Sequence, residues 1–300
     1  MPVSELLAIG AATCIALSGM LIAELTGKVH VLRLARWQLT AAFVMTALAA
    51  VITGGWRTLD QSAVIYLALS SLFGIIIATT TYFATIYAIG PRSTALLFSL
   101  TSPFALVLGY GFLGETISLR QGLGIALVIA GIVLAIGMPG GGRTDGGTGS
   151  GGQTLRRIAW SGIILGVVTA LGQALGSLFA RPAMAAGVEP FTAMAVPSGL
   201  AAIFFALLAF LPLPAWRGSY SFAPRLLIIA VVASFFGTGL GMSLLMAALA
   251  SGKVGIVSTL SSMTPVVILP MVWIRTGKAP PATAWIGASL AVAGTALISL

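Results

Sequence analysis

Apolar residues in this chain come in long runs, without the strict alternation of a half-buried strand or the narrow stripe of a surface helix. Read between clusters of charge, Gly and Pro, the runs predict ten spans: 5–25, 33–53, 62–88, 93–113, 119–137, 158–180, 190–211, 225–249, 254–274 and 282–300. Most are about 20 residues long, the length a helix needs to cross roughly 30 Å of hydrocarbon. An isolated lipid-facing strand would leave its backbone groups unpaired, and the runs are too long for barrel strands. The pattern therefore predicts an all-α polytopic membrane protein with ten transmembrane helices.

Polar punctuation inside these runs repeats. Gly90, Ser99 and Pro103 return 162 residues later as Gly252, Ser261 and Pro265, and Ala88 returns as Ala250. Each set leads into a glycine-spaced run, Gly124 and Gly131 in one case and Gly287 and Gly294 in the other. The longest break, 138–157, is rich in glycine from Gly140 to Gly152 and reads as a flexible linker. It separates a first five-span repeat, 1–137, from a second, 158–300. Five is odd, so the second half enters the bilayer in the opposite sense, giving an inverted 5+5 repeat.

Composition narrows the class further. The chain is 58% hydrophobic and 7% charged, against about 25% charged in soluble domains, which excludes a soluble two-layer fold. In a soluble chain a net charge of +9 would suggest nucleic acid. Here the basic residues sit at span ends, where they set orientation and meet anionic headgroups, so the expected partner is the lipid bilayer and no nucleic acid. Lys28, Arg33, Arg36, Arg92, Arg143, Arg156, Arg157, Arg217, Arg225, Arg275 and Lys278 fall on the side of the glycine linker; Arg57, Arg120, Arg181 and Lys253 fall opposite. That bias predicts a cytoplasmic linker, with both termini outside, in the cell's inner (plasma) membrane. Glu5 precedes the first run and no basic segment does, so that run reads as a mature helix rather than a secretory signal. Cys14 stands alone, which excludes an intramolecular disulfide.

The stretch from Gly90 to Gly137, GPRSTALLFSLTSPFALVLGYGFLGETISLRQGLGIALVIAGIVLAIG, resembles the ten-helix EamA-type members of the drug/metabolite transporter superfamily. Pro103, Glu115, Gly124 and Gly131 carry the resemblance, and Pro265, Gly287 and Gly294 repeat it in the second half. Gly277 and Lys278 stand where the first half has Glu115. The resemblance implies a secondary transporter that moves a small organic solute, often outward, through a cavity lined mainly by spans 1, 3, 4, 6, 8 and 9. It also implies termini inside, opposite to the charge count.

Pro103 and Pro265 fall about ten residues into their predicted spans, where a proline removes a backbone hydrogen bond and kinks a helix. Such a kink fits a midplane substrate site, or a static bend. Thr169, Gln173 and Ser177 step by four and share one helical face. That stripe must face the bundle interior, because a buried amide without a partner costs a few kcal/mol. It serves either as cavity lining or as glue between helices. The candidate substrate-cavity set is Thr13, Tyr82, Ser99, Pro103, Thr169, Gln173, Ser177, Ser261 and Pro265. Further hydroxyls in the first and third spans are Ser18, Thr79, Thr80, Thr81 and Thr85.

Glu24 and Arg36 form a candidate gating pair across a short connection, though each also reads as an ordinary interfacial charge. His30 reads as a solvated loop residue. The spaced glycines of the fifth and tenth spans predict close packing within or between protomers, which leaves a homodimer open. One His and one Cys cannot supply the usual zinc sites, and no paired carboxylates share a span. Neither a metal nor a cofactor is expected, and enzymatic activity is disfavoured. With acids nearly absent from the spans, proton coupling and simple facilitation both stay open. The expected function is export of a small neutral or zwitterionic metabolite, such as an amino acid. The alternatives are an uptake permease of the same fold and a membrane-embedded enzyme acting on a lipid-linked substrate.

Overall fold

The structure, a computed structural model, describes residues 3–113, 117–136, 150–210, 223–251, 260 and 263–299. In chain order they form α1 (Val3–Glu24), α2 (Val31–Thr53), a 3-10 turn (Gly55–Thr58), α3 (Gln61–Ser70), a π-helical turn (Ser71–Ile77), α4 (Ala78–Phe98), α5 (Thr101–Leu113) and α6 (Leu119–Ile136). The second half follows with α7 (Ser150–Ala185), α8 (Pro190–Leu208), α9 (Pro224–Ser234), a second π turn (Phe235–Gly241), α10 (Met242–Ser251), α11 (Thr264–Thr276) and α12 (Ala282–Ser299). The described residues contain no strand. Six helical stretches are long and apolar enough to cross a membrane, among them Gln61–Phe98 and Pro224–Leu245.

Small residues bury much of α1, and many large apolar side chains face outward. Ala8, Ala11, Ala12 and Ala16 of α1 are fully buried, whereas Ile52, Phe112 and Leu119 are 77%, 74% and 84% exposed. Lipid tails are as apolar as leucine, so helices in a bilayer associate through close contact of small side chains, and bulky ones turn outward. The chain is a multi-pass membrane protein.

Matching helices of the two halves pack on each other, α2 against α8 and α6 against α12. In the second pair Gly124 faces Gly294 and Gly131 faces Gly287; a Cβ on Gly131 would lie 2.5 Å from the Gly287 carbonyl oxygen. The glycine seam therefore closes within one chain. Two caps repeat as well. His30 caps α2, its Nδ1 accepting the Leu32 N–H at 3.3 Å. Glu189, 159 residues on, caps α8 by accepting the N–H groups of Phe191 and Thr192 at 3.0 and 2.8 Å. The histidine expected as a solvated loop residue thus has a structural task.

Several sequence expectations need correction. The fourth span is not one straight helix. It begins after a break at Gly90, with φ 79° and ψ 166°, which separates it from the third span as expected. That conformation is essentially restricted to glycine, and Pro91 restarts the helix after it. A turn at Ser99 and Leu100 then separates α4 from α5. Pro103 consequently kinks nothing. It stands in the first turn of α5, where the Phe104 N–H donates to the Leu100 carbonyl at 3.0 Å. Pro265 is likewise at the start of α11, behind its N-cap Met263. A residue without an N–H loses nothing in a first turn, where no carbonyl waits for it. Residues 150–157, expected as linker, belong to α7. Glu115, Ser261 and the rest of the linker from 138 lie outside the described residues.

Candidate functional site

Matching sequences lead into the two π turns, Ser71-Leu72-Phe73-Gly74 and Ser234-Phe235-Phe236-Gly237, set 163 residues apart, Ser234 being the last residue of α9. Each serine pins a helix of the other half. Ser71 donates to the Pro197 carbonyl of α8 at 2.7 Å, and Ser234 donates to the Gln38 carbonyl of α2 at 2.6 Å. Pro197 follows Gln38 by 159 residues, the spacing of the two caps, so the same bond is made twice across the pseudo-two-fold axis. The glycines allow close approach: a Cβ on Gly74 would come within 3.0 Å of the Gly176 Cα, and one on Gly237 within 2.5 Å of the Ser18 hydroxyl. Ser18 itself donates to the Ala233 carbonyl at 2.7 Å. A π turn disrupts the regular i to i+4 ladder and re-aims the side chains around it, which is why such turns recur at functional sites.

Between the two turns lies a cavity of about 80 Å³, room for several waters. α1 contributes Ile15, Ser18 and Ile22, and α2 contributes Gln38. The first π turn and α4 supply Gly74, Ile75, Ala78, Thr79, Tyr82, Phe83 and Phe98. Thr169 and Gln173 of α7, Gly237 and Thr238 of the second π turn and Met242 of α10 complete the wall. None of these residues is charged. A second cavity of about 30 Å³ shares Gly74, Ile75, Gln173 and Met242 with the first and extends past Ser70 and Ser177 to Pro197. Gln173 stands where the two adjoin.

The predicted residues divide. Tyr82, Thr169 and Gln173 line the larger cavity, and Ser177 lines the smaller one. The Tyr82 ring meets Phe83 and Phe98 edge-on at 6.1 and 5.9 Å between centroids. The Thr169 hydroxyl lies 2.8 Å from the Thr81 hydroxyl, so it also joins two helices. Thr13 is outside both linings and donates within its own helix, to the Ile9 carbonyl at 2.9 Å. Ser99 is buried and turns back toward Ala95 at 3.5 Å, and Pro103 and Pro265 are buried outside the linings.

Glu24 meets a cation of the other half that the sequence did not suggest. Its carboxylate lies 3.0 Å from Arg275 at the end of α11, and Arg275 also donates to the Met20 carbonyl at 2.9 Å. The ion pair therefore ties α1 to the second half, just beyond the cavity-lining Ile22.

Sequence reasoning missed Gln38. It belongs to the buried stripe Leu34, Gln38, Ala42 and Thr46, is 2% exposed, and its side-chain Nε2 has no hydrogen-bond partner. A buried donor left unpaired costs roughly 1–3 kcal/mol. The step of four along α2 was the available signal. Ser243 Oγ is buried and unpartnered too, but lies outside both linings. Among the described residues no cluster of His, Cys, Asp and Glu could hold a metal ion.

The profile of the EamA-like transporter family matches residues 3–137 and 160–300. No curated protein matches the chain. A solved crystal structure, 19% identical, is similar in fold over 98% of this chain and 94% of that one, with a TM-score of 0.67. Two family matches, one on each half and together spanning nearly all of the sequence, agree with the duplicated π turns and caps: the chain belongs to the EamA-like transporter family.

Proposed function

We propose that this protein is a secondary transporter that exports a small neutral or zwitterionic metabolite, such as an amino acid, across the inner membrane by alternating access. The observation that supports this reading is the uncharged cavity between two repeat-matched π turns, lined by helices from both halves. Hydroxyls, carboxamides and aromatic faces suit a solute without net charge, since an unpaired charge there would meet no counter-ion. The halves 1–137 and 158–300 are the rocking units, with the basic side and the glycine linker in the cytoplasm. The Glu24–Arg275 pair joins the two units at one end of the cavity and is placed to open and close with them.

Counterflow of labelled amino acids in proteoliposomes, with and without an imposed pH gradient, tests this. Saturable exchange is expected, and its response to the gradient separates proton coupling from facilitation. Faster net flux toward the outside identifies an exporter, and the reverse an uptake permease. Absence of flux together with covalent turnover of a lipid-linked substrate overturns the transporter reading. Labelling of a single cysteine placed in the linker from the periplasmic side overturns the orientation.

A further inference from the structure

Gln38 carries two duties that the repeat allows to be separated. Its backbone carbonyl is the acceptor that pins α2 to the end of α9, where the second π turn begins. The second half makes the same bond at Pro197, whose side chain has no donor at all. The scaffold therefore asks for a carbonyl at this position and sets no requirement for a carboxamide. Yet a carboxamide is present on the buried stripe of α2, lines the larger cavity, and leaves its Nε2 without a partner in an environment with almost no access to solvent. Buried polar groups in native proteins are nearly always paired, so an orphan on a residue that lines a cavity points to an absent partner.

We propose that the Gln38 carboxamide is a ligand-binding donor, and that the transported solute presents a hydrogen-bond acceptor, a carboxylate or carbonyl oxygen, to it. The inference rests on reading the cavity as the transport site and adds its recognition chemistry. Ser18 of α1 and Thr238 of the second π turn line the same cavity. Ser234 holds the main chain of Gln38 fixed, so the side chain meets the ligand from an anchored base.

The test uses the purified full chain, melted alone and with each common L-amino acid, its carboxamide and its decarboxylated amine. A ligand that binds only the folded state raises Tm. At least one acid or carboxamide is expected to raise Tm where its amine does not; a response to acids alone identifies a carboxylate, and to both a carbonyl. Gln38→Met, which keeps the shape and removes the donor, is expected to weaken that ligand roughly tenfold. The same variant melts at or above the wild type without ligand, because the orphan donor has been removed. Ser243→Ala, outside the lining, is expected to leave binding unchanged.

Undiminished binding by Gln38→Met overturns the proposal. So does a ligand-free melting point several degrees lower in both Gln38→Met and Gln38→Leu, which would reveal a structural partner for the amide. If no probe shifts the wild type, the amino-acid reading of the cargo fails separately. The ligand-free comparison then still decides Gln38, with unchanged or raised melting in favour of an unpartnered donor and lowered melting against it.

Discussion

At the first π turn a serine holds the carbonyl of a proline; at the second, a serine holds the carbonyl of a glutamine. The main-chain geometry is shared, to within 0.1 Å in the bond length. The side chains are not, for Pro197 borders the smaller cavity with a ring and Gln38 borders the larger one with an amide. The two regions separate what a duplicated scaffold must repeat from what it is free to vary. Backbone pins, caps and glycine contacts occur in both halves, and a buried carboxamide at the pinned position occurs in one.

The severest break in that symmetry should come from Gly131→Leu. Its Cβ would approach the Gly287 carbonyl at 2.5 Å and the Ala291 nitrogen at 2.7 Å, both backbone atoms that cannot swing aside. We expect loss of folded protein, read as monodisperse yield after extraction, whereas Gly111→Ala, which meets no atom within 4 Å, leaves the yield intact.

Next in size are Ser71→Ala and Ser234→Ala, each removing one buried hydrogen bond and stranding one carbonyl, about 1–3 kcal/mol. Equal losses of Tm would sharpen the pseudo-symmetry, and a large loss in only one would break it. Ligand affinity distinguishes them further, because Ser234→Ala alone releases the helix that carries Gln38.

Smaller again is Arg275→Met. The pair with Glu24 is partly exposed, 40% and 34% at the two side chains, so its removal should change stability by about 0–1 kcal/mol, with the difference fading at high salt. A loss that persists undiminished in concentrated salt would contradict this account.

The smallest effect concerns Asp60, the cap of α3, whose carboxylate accepts the Ala63 N–H at 2.7 Å and the Ser62 hydroxyl at 2.9 Å. These bonds hold its carboxyl below the usual range. A depressed folded value means the contribution is complete above the ordinary carboxylate value and is lost as pH falls through the lower one. Asp60→Asn should therefore show a shallower acid limb in a plot of Tm against pH, and superimposable limbs would count against the cap.

Much of this frame was legible in the sequence, because a bilayer dictates helix length and backbone contact dictates glycine. The spacing of Gly124, Gly131, Gly287 and Gly294 marks the seam, and the step of four marks Thr169, Gln173 and Ser177 as one face. Pro103 misled because a helix that kinks and a helix that ends and restarts look alike inside an apolar run, where no polar loop marks the break. Gln38 was hidden by its position a little beyond Arg33 and Arg36, where a polar residue reads as part of an interface. Its burial depends on elements far away in the sequence, among them the helix whose Ser234 reaches its main chain. Arg275 meets Glu24 from the far end of the chain, a pairing no local pattern carries.

The glycine seam also determines how a mutational screen of this protein must be run. A selection scoring only lost growth or lost flux would return Gly131 and Gln38 as equals, one because the wall between α6 and α12 cannot assemble and the other because the solute is no longer held. Sorting a saturation library first on the amount of protein in the membrane removes the seam alleles. Those that remain abundant and yet inactive trace the surface that meets the cargo.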